Sequence, residues 1–533
     1  MKVLTAAEMR EADRLTAERL GIPSLELMEN AGGRVAEFLE AQFPDLPKRR
    51  VVILCGKGNN GGDGLVVARL LKQQGAHPAV YLFAQPEAVR GDAAANLKRW
   101  RENSGALHVV TQASDWEAAR GSAATAEIIV DALLGTGLSG PVEGLLARVI
   151  EDVNNRPRGV QVVAVDTPSG LPSDAVTAPN PGGPVIAANY TVTFTAPKAG
   201  QLLSRDSASV GKLVVRGIGT PTQLLEEVAQ LKFHWLEAGE FRALPLRRPP
   251  DAHKGDYGHA LIVAGSLGKS GAAVLAASGA LRVGAGLVTV ATPDAVLPIV
   301  ASGLPEMMTA PLAATEVGSI ALRNLDYGRF DELVRGKNVL AIGPGLSTYS
   351  ETQQFVRTVL AECALPAILD ADGLNAFAGR ADELKKRKSV ALALTPHPGE
   401  MARLLGGTAQ EVQANRLEVA QQAAARWGAY VVLKGYRTIV ATPDGRAFIN
   451  STGNPGMATG GTGDVLTGML AGLTAQFGTE HWETVLGFGV YLHGLAGDLA
   501  AARSGEAPMI ASDLLAAIPQ AFRQVRSELD RGS

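Results

Sequence analysis

Two separate series of short apolar runs, each run followed by a helical pattern, constrain this chain more than any other feature. The first comprises residues 51–55, 79–83, 128–131, 162–166, 191–194 and 213–215; the second comprises residues 260–264, 287–291, 339–342, 367–370, 390–394, 430–434 and 438–441. Strands of this length alternating with helices predict an α/β protein with largely parallel sheets covered on both faces. At 533 residues the chain exceeds the roughly 250–300 at which a single core stops growing. The strand pattern lapses into a charged, helical stretch that ends in Leu246-Arg-Arg-Pro-Pro250. The expected organisation is therefore a domain over 1–220, a linker over 221–249 and a second domain over 250–533. The halves share no repeat, so two unlike domains are fused.

Composition excludes several classes. A net charge of −3 spread along the chain leaves no electrostatic footprint for nucleic acid or an anionic membrane. Cys55 and Cys363 are the only cysteines, too few for a disulfide framework, which points to a reducing cytoplasm. The N-terminus reads as a charged amphipathic helix rather than a signal peptide, and no run approaches the roughly 18–20 apolar residues of a membrane span. A cytoplasmic enzyme acting on small molecules, with neither nucleic acid nor membrane as partner, is expected.

The polar motifs of the first half follow predicted strands, where open α/β sheets bind ligands. Gly56, Gly58 and Gly61 match the dinucleotide pattern G-x-G-x-x-G, but the next strand runs out through Phe83-Ala-Gln85 without the carboxylate that would hold a ribose. Asn60, Asp131 and Ser169 lie after three different strands and offer neutral oxygens plus one carboxylate, a set suited to a monovalent cation better than to a transition metal. Helix capping by Asn60 and Ser169 is the alternative. Asp166 and Lys198 form a candidate acid and base pair at neighbouring strand ends.

In the second half a run of small residues, Asn454-Pro-Gly-Met-Ala-Thr-Gly-Gly-Thr-Gly-Asp464, opens directly into an apolar helix. Glycines let a backbone approach an anion, the first helical amides point at it, and Asp464 stands where a base is needed, as phosphoryl transfer requires. Ala264-Gly-Ser266, Gly343-Pro-Gly345, Asp370-Ala-Asp372, Thr395-Pro-His-Pro-Gly-Glu400 and Lys434-Gly-Tyr-Arg-Thr438 precede it in that order. His397 has a loop hydrogen-bonding role as its alternative, and Lys434 a snorkelling one.

With these motifs in hand, the first 220 residues resemble the NAD(P)H-hydrate epimerase domain through the glycine loop at 56–64, Asp131-Ala-Leu-Leu-Gly-Thr-Gly137, Asp166-Thr-Pro-Ser-Gly170 and Phe194-Thr-Ala-Pro-Lys-Ala-Gly200. Residues 250–530 resemble the ADP- or ATP-dependent NAD(P)H-hydrate dehydratases. The resemblance implies a Rossmann-like doubly wound domain followed by a ribokinase-like α/β domain. It implies that Asn59, Asn60, Gly61, Gly62, Asp63, Gly135, Thr136, Gly137, Leu138, Ser139, Gly140, Pro141 and Asp166 contact the hydrated dinucleotide, and that Asn60, Asp131 and Ser169 hold potassium. It places Ala272, Gly345, His397 and Asp464 at the hydrate of the second site, and Lys434, Gly435, Tyr436, Arg437, Thr438 and Gly463 at the adenine nucleotide, with Glu400 as an indirect magnesium ligand. Thr167 departs from the aliphatic residue usual in the family. The expected activity is epimerisation of (R)- and (S)-NADH or NADPH hydrate and ADP-dependent dehydration of the S epimer, in a homo-oligomer that uses potassium, magnesium and ADP (or ATP). The competing reading is a small-molecule kinase with a dinucleotide-sensing N-terminal module.

Overall fold

The computed structural model describes residues 1–123, 125–138, 140–174, 182–230 and 232–531. The chain divides into two compact units, Lys2–Leu231 and Lys232–Ser533, the latter taking in Met1.

The first unit is built on seven strands, β1 (Val51–Cys55), β2 (Ala79–Leu82), β3 (Leu107–Val109), β4 (Ile128–Ala132), β5 (Gln161–Val165), β6 (Tyr190–Phe194) and β7 (Lys212–Arg216), all parallel, in the order β3-β2-β1-β4-β5-β6-β7. β1 and β4 are buried along their whole length, which is why they read as unbroken apolar runs. Apolar clusters on both faces bury the sheet under helices such as Ser24–Gln42 and Gly144–Asn154. The order reverses between β1 and β4, so the crevice at their carboxyl ends is the expected binding position of this architecture.

The second unit carries ten strands, β8 (Phe233–Trp235), β9 (His259–Val263), β10 (Leu287–Pro293), β11 (Met308–Leu312), β12 (Val339–Ile342), β13 (Ala367–Leu369), β14 (Leu392–Leu394), β15 (Tyr430–Leu433), β16 (Ile439–Ala441) and β17 (Ala447–Ile449), in the order β11-β10-β9-β12-β13-β14-β15-β16-β17-β8. All pairings are parallel except β15 with β16 and β16 with β17. Both halves are thus α/β, as expected.

One expectation needs correction. Residues 221–249 are not a bare linker: helix Thr222–Val228 buries Leu224, Leu225 and Val228 against Met9 and Ala12 of its own unit, and β8 pairs with β17. A three-residue strand is too short to show periodicity. Helix Trp482–Ser504 is, among the described residues, the one helix long and apolar enough by average to cross a membrane, although Glu483, Asp498 and Arg503 interrupt it. It is instead a core helix, with 78% of its most apolar window buried.

Glycine sets how two of these helices meet. Helix Ser270–Arg282 lies on helix Thr462–Phe477, and a Cβ on Gly468 would overlap the Ala276 carbonyl oxygen, while one on Gly472 would lie 2.5 Å from that of Ala280. The backbones touch, and this contact brings Leu275 of the first helix against Gly461 in the loop before Asp464.

Candidate active sites

In the first unit the predicted residues gather at the carboxyl ends of β1, β4, β5 and β6. Helix Asn59–Gln73 starts straight after the glycine loop, and Gly61 is required there because a Cβ would overlap the Gly56 carbonyl oxygen. Asp131, at the end of β4, is fully buried. Its Oδ1 accepts from Ser169 Oγ at 2.5 Å, and its Oδ2 from the Ser169 amide at 2.8 Å. Ser169 Oγ in turn accepts from the Leu134 amide at 2.9 Å, and Asn60 Nδ2 donates to the Leu134 carbonyl at 2.8 Å. One short segment thus ties the three proposed cation ligands together. Burial pushes the Asp131 carboxyl up to about 6, the Ser169 hydrogen bonds opposing it. Asn60 Oδ1 is buried and accepts no hydrogen bond among the described residues. A buried carboxylate with no basic partner, next to an orphaned amide oxygen, is a donor set that a weakly hydrated monovalent cation fits. Capping is not what Asn60 does, since its side chain reaches the neighbouring loop instead of its own helix.

Gly135 closes on this set, its hypothetical Cβ falling 3.2 Å from that of Asn60. Thr136, Gly137, Leu138 and Gly140 continue the loop, half-buried or exposed, towards the exposed Pro141. Ser139 lies outside the described residues. Asn59 is exposed at the helix start, with Gly61 and Gly62 buried behind it.

Asp166 and Lys198 are in contact. Lys198 Nζ, on a fully buried side chain, reaches Asp166 Oδ1 at 2.5 Å and also donates to Thr193 Oγ1 at 2.8 Å. Asp166 has φ +60, a left-handed conformation costly for a residue with a Cβ, held by its amide on the Val192 carbonyl and by Gln201 Nε2 on its own carbonyl. Thr167 Oγ1 accepts a second bond from Gln201 Nε2 at 2.9 Å, so the departure at this position has a polar partner.

In the second unit Asp464 sits in the first turn of helix Thr462–Phe477, after Gly461 at φ +92. Burial first, and then the Asp370 carboxylate, push its carboxyl up to about 6, with Lys434 opposing. Lys434 does not snorkel. Its Nζ lies 2.7 Å from Asp370 Oδ1 and 3.7 Å from Glu400 Oε2, and a Cβ on Gly463 would stand 3.5 Å from it. Burial alone would lower the ammonium's affinity for its proton, but Asp370 and Glu400 hold it above the ordinary lysine value. Asp370, to which the sequence assigned no role, is the hub: almost fully buried, it also accepts from Thr395 Oγ1 and Thr467 Oγ1, each at 2.7 Å. The available signal was its place directly after β13, paired with Asp372, which accepts from Lys269 Nζ at 3.0 Å. His493 was also missed. Its buried ring, kept neutral by burial with a pKa near 4, donates from Nε2 to the Thr462 carbonyl at 2.9 Å and braces the first turn.

His397 caps helix Pro398–Leu405: its Nδ1 accepts from the Gly399 and Glu400 amides, and Glu400 Oε2 accepts from the His397 amide. Its ring stays half exposed, and burial lowers its affinity for a second proton against the pull of Glu400. Ala272 and Gly345 are adjacent, 3.0 Å separating the former's Cβ from one built on the latter. At the other proposed subsite Tyr436 is exposed, and the Arg437 guanidinium, behind it at φ +54, lies 4.9 Å from its ring centroid. Thr438 Oγ1 closes the Gly435 turn at 3.1 Å. Glu400 is engaged by His397 and Lys434, and among the described residues no group of three His, Cys, Asp or Glu side chains is placed to hold a metal.

Known proteins bear on both units. A family model described as YjeF-related protein N-terminus matches residues 24–200, and one described as NAD(P)H-hydrate dehydratase matches residues 260–520. The bifunctional NAD(P)H-hydrate repair enzyme Nnr of Moorella thermoacetica is 45% identical, the alignment covering 99% of this chain and 98% of that protein. The chain belongs to the bifunctional NAD(P)H-hydrate repair enzymes. The Escherichia coli member of this family is 33% identical over 96% of this chain and 92% of its own. Among solved structures, the ADP/ATP-dependent NAD(P)H-hydrate dehydratase of Bacillus subtilis is 33% identical, covers 55% of this chain and 98% of its own, and has a TM-score of 0.47.

Proposed function

We propose that the unit Lys2–Leu231 interconverts the R and S epimers of NADH or NADPH hydrate, and that the unit Lys232–Ser533 dehydrates the S epimer with consumption of ADP. The observation that carries the reading is Asp464: a carboxylate with a pKa near 6, in the first turn of a glycine-led helix beside Lys434.

In the second unit Asp464 takes the proton of the C6 hydroxyl as its oxygen attacks the terminal phosphorus of ADP, and AMP leaves. Lys434 and the amides of Thr462 and Gly463 stabilise the charge on the transferring group. The ring nitrogen lone pair then expels phosphate from C6, and loss of a proton from C5 restores the dihydronicotinamide. Hydrate and ADP become NAD(P)H, AMP and phosphate, so atoms balance. A magnesium ion entering with the nucleotide would supply charge neutralisation at its phosphates. Tyr436 offers its ring to the adenine, and Ala272, Gly345 and His397 border the hydrate.

In the first unit Asp166 and Lys198 move the proton at the nicotinamide while C6 inverts, with residues 59–63 and 135–141 around the dinucleotide. Asn60, Asp131 and Ser169 hold potassium, whose fixed charge neutralises Asp131 and orders the loop at Leu134. A homo-oligomer of cytoplasmic location is the state we expect of the protein.

The test follows reduced-nicotinamide absorbance while the protein acts on mixed-epimer NADH hydrate with ADP, magnesium and potassium. A fast phase reports dehydration of the S epimer and a slow phase reports epimerisation of the remainder. Asp464→Asn is expected to lose about 10²–10⁴-fold in the fast phase, and Asp166→Asn to lose only the slow one. Accumulation of a phosphorylated product without recovered absorbance would instead identify a small-molecule kinase.

A further inference from the structure

One titratable group of the first unit has no place in the site described above. Helix Ala6–Leu20 buries Ala6, Met9, Ala12 and Thr16, and Met9 and Ala12 pack with Ala196. Asp13 adjoins that face, whereas Arg10, Arg14 and Glu18 are exposed. Its Oδ1 is buried and accepts no hydrogen bond among the described residues. An unpaired carboxylate oxygen so placed is costly, and a surface position one residue on would relieve it.

The surroundings supply a reason. The segment entering this helix is paired with the one carrying Lys198: the Leu4 amide donates to the Pro197 carbonyl at 3.0 Å, and the Ala199 amide to the Leu4 carbonyl at 3.3 Å. The charges acting on Asp13 are those of Lys198 and Asp166, and Asp63 feels Asp166, Asp13 and Lys198 in turn. Burial above all, with Asp63 adding to it, pushes the Cys55 thiol up. Lys198 is thus the one cation among the charges acting on Asp13 and Asp63, and Asp166 is the carboxylate it touches. That ammonium already donates to Asp166 Oδ1, Thr193 Oγ1 and the Phe194 carbonyl, which uses its three protons. Asp13 thus acts on Lys198 through its field and not by a hydrogen bond. Burial above all pushes Asp13 up to about 6 and Asp63 well above the usual carboxylate range.

We propose that Asp13 is a positioning residue of the epimerase centre, whose negative charge balances Lys198 against Asp166 and keeps the pair aligned while it exchanges a proton with the hydrate. This rests on the epimerase reading of the unit. Asp13→Asn in the full chain is expected to slow the slow phase of absorbance recovery about tenfold at neutral pH with KM within about twofold, and to remove a step near pH 6 that the wild-type slow phase shows as Asp13 ionises. The fast phase stays at the wild-type rate. Asp13→Glu, which keeps the charge, is expected to restore the slow phase to within about threefold. A slow phase unchanged in Asp13→Asn, or a folded Asp13→Glu as slow as Asp13→Asn, overturns the proposal. A readout free of activity is the ¹⁵N resonance of the Lys198 ammonium, expected to shift through the step near pH 6 in the wild type and in Asp13→Glu at a displaced pH, and not in Asp13→Asn. Should Asp166→Asn leave the slow phase intact, the epimerase reading falls, and a Lys198 resonance blind to Asp13 would then show that the coupling fails as well.

Discussion

Asp464 shows how a single position acquires its chemistry. A carboxylate in the first turn of a helix is ordinarily stabilised as the anion, yet here burial and the Asp370 charge outweigh the helix end and Lys434, and the group titrates near 6. Because its value is raised, Asp464 is the anion above about 6 and is progressively protonated below it. If it accepts the hydroxyl proton, the fast phase falls roughly tenfold per pH unit below that value and is flat above it. A fast phase with no acid limb would remove Asp464 as the base. His397, held between two prolines, spends its Nδ1 on capping and leaves half of its ring exposed.

At the scale of elements, small residues decide where the reactive groups stand. Gly279 also lies in the contact between helices Ser270–Arg282 and Thr462–Phe477, its hypothetical Cβ overlapping the Val465 carbonyl oxygen. With no room for a methyl group at Gly468, Gly468→Ala is expected to cost about 1–3 kcal/mol through overpacking, read as a lower midpoint in thermal unfolding. Since the same contact seats the helix whose first turn carries Asp464, the fast phase should fall in this variant while the slow phase persists. A variant as stable as the parent would show that the helices separate at little cost. β3, β8 and β11 escaped the reading of the sequence because each lies at a sheet edge and lacks burial on both faces, which is the source of unbroken apolar runs, whereas β17, interior and buried, escaped because three residues are too few to show a run.

Across the whole molecule, the residues proposed for each site come from one unit, near the carboxyl ends of its parallel strands. Potassium should therefore stabilise the unit that holds Asp131: at a hundredfold excess over its dissociation constant, about 2.7 kcal/mol is expected, seen as a raised unfolding midpoint in potassium relative to choline chloride. Asp131→Ala should lose the difference, and a potassium effect that survives in that variant would place the cation elsewhere. The sequence by itself determined the two α/β halves, most of the strands, and the loops that carry Asn60, Asp131, Asp166, Lys198 and Asp464, because burial on both faces and the backbone freedom of glycine are local demands that each residue must meet. It also carried the motifs on which membership of the repair-enzyme family rests. Only the tertiary structure decided that Lys434 turns inward to Asp370, that His493 braces the Thr462 turn, and that the segment entering the first helix pairs with the one carrying Lys198. Those relations come from the packing of distant elements and the desolvation of the polar groups it brings together, and no periodicity or spacing along the chain records them.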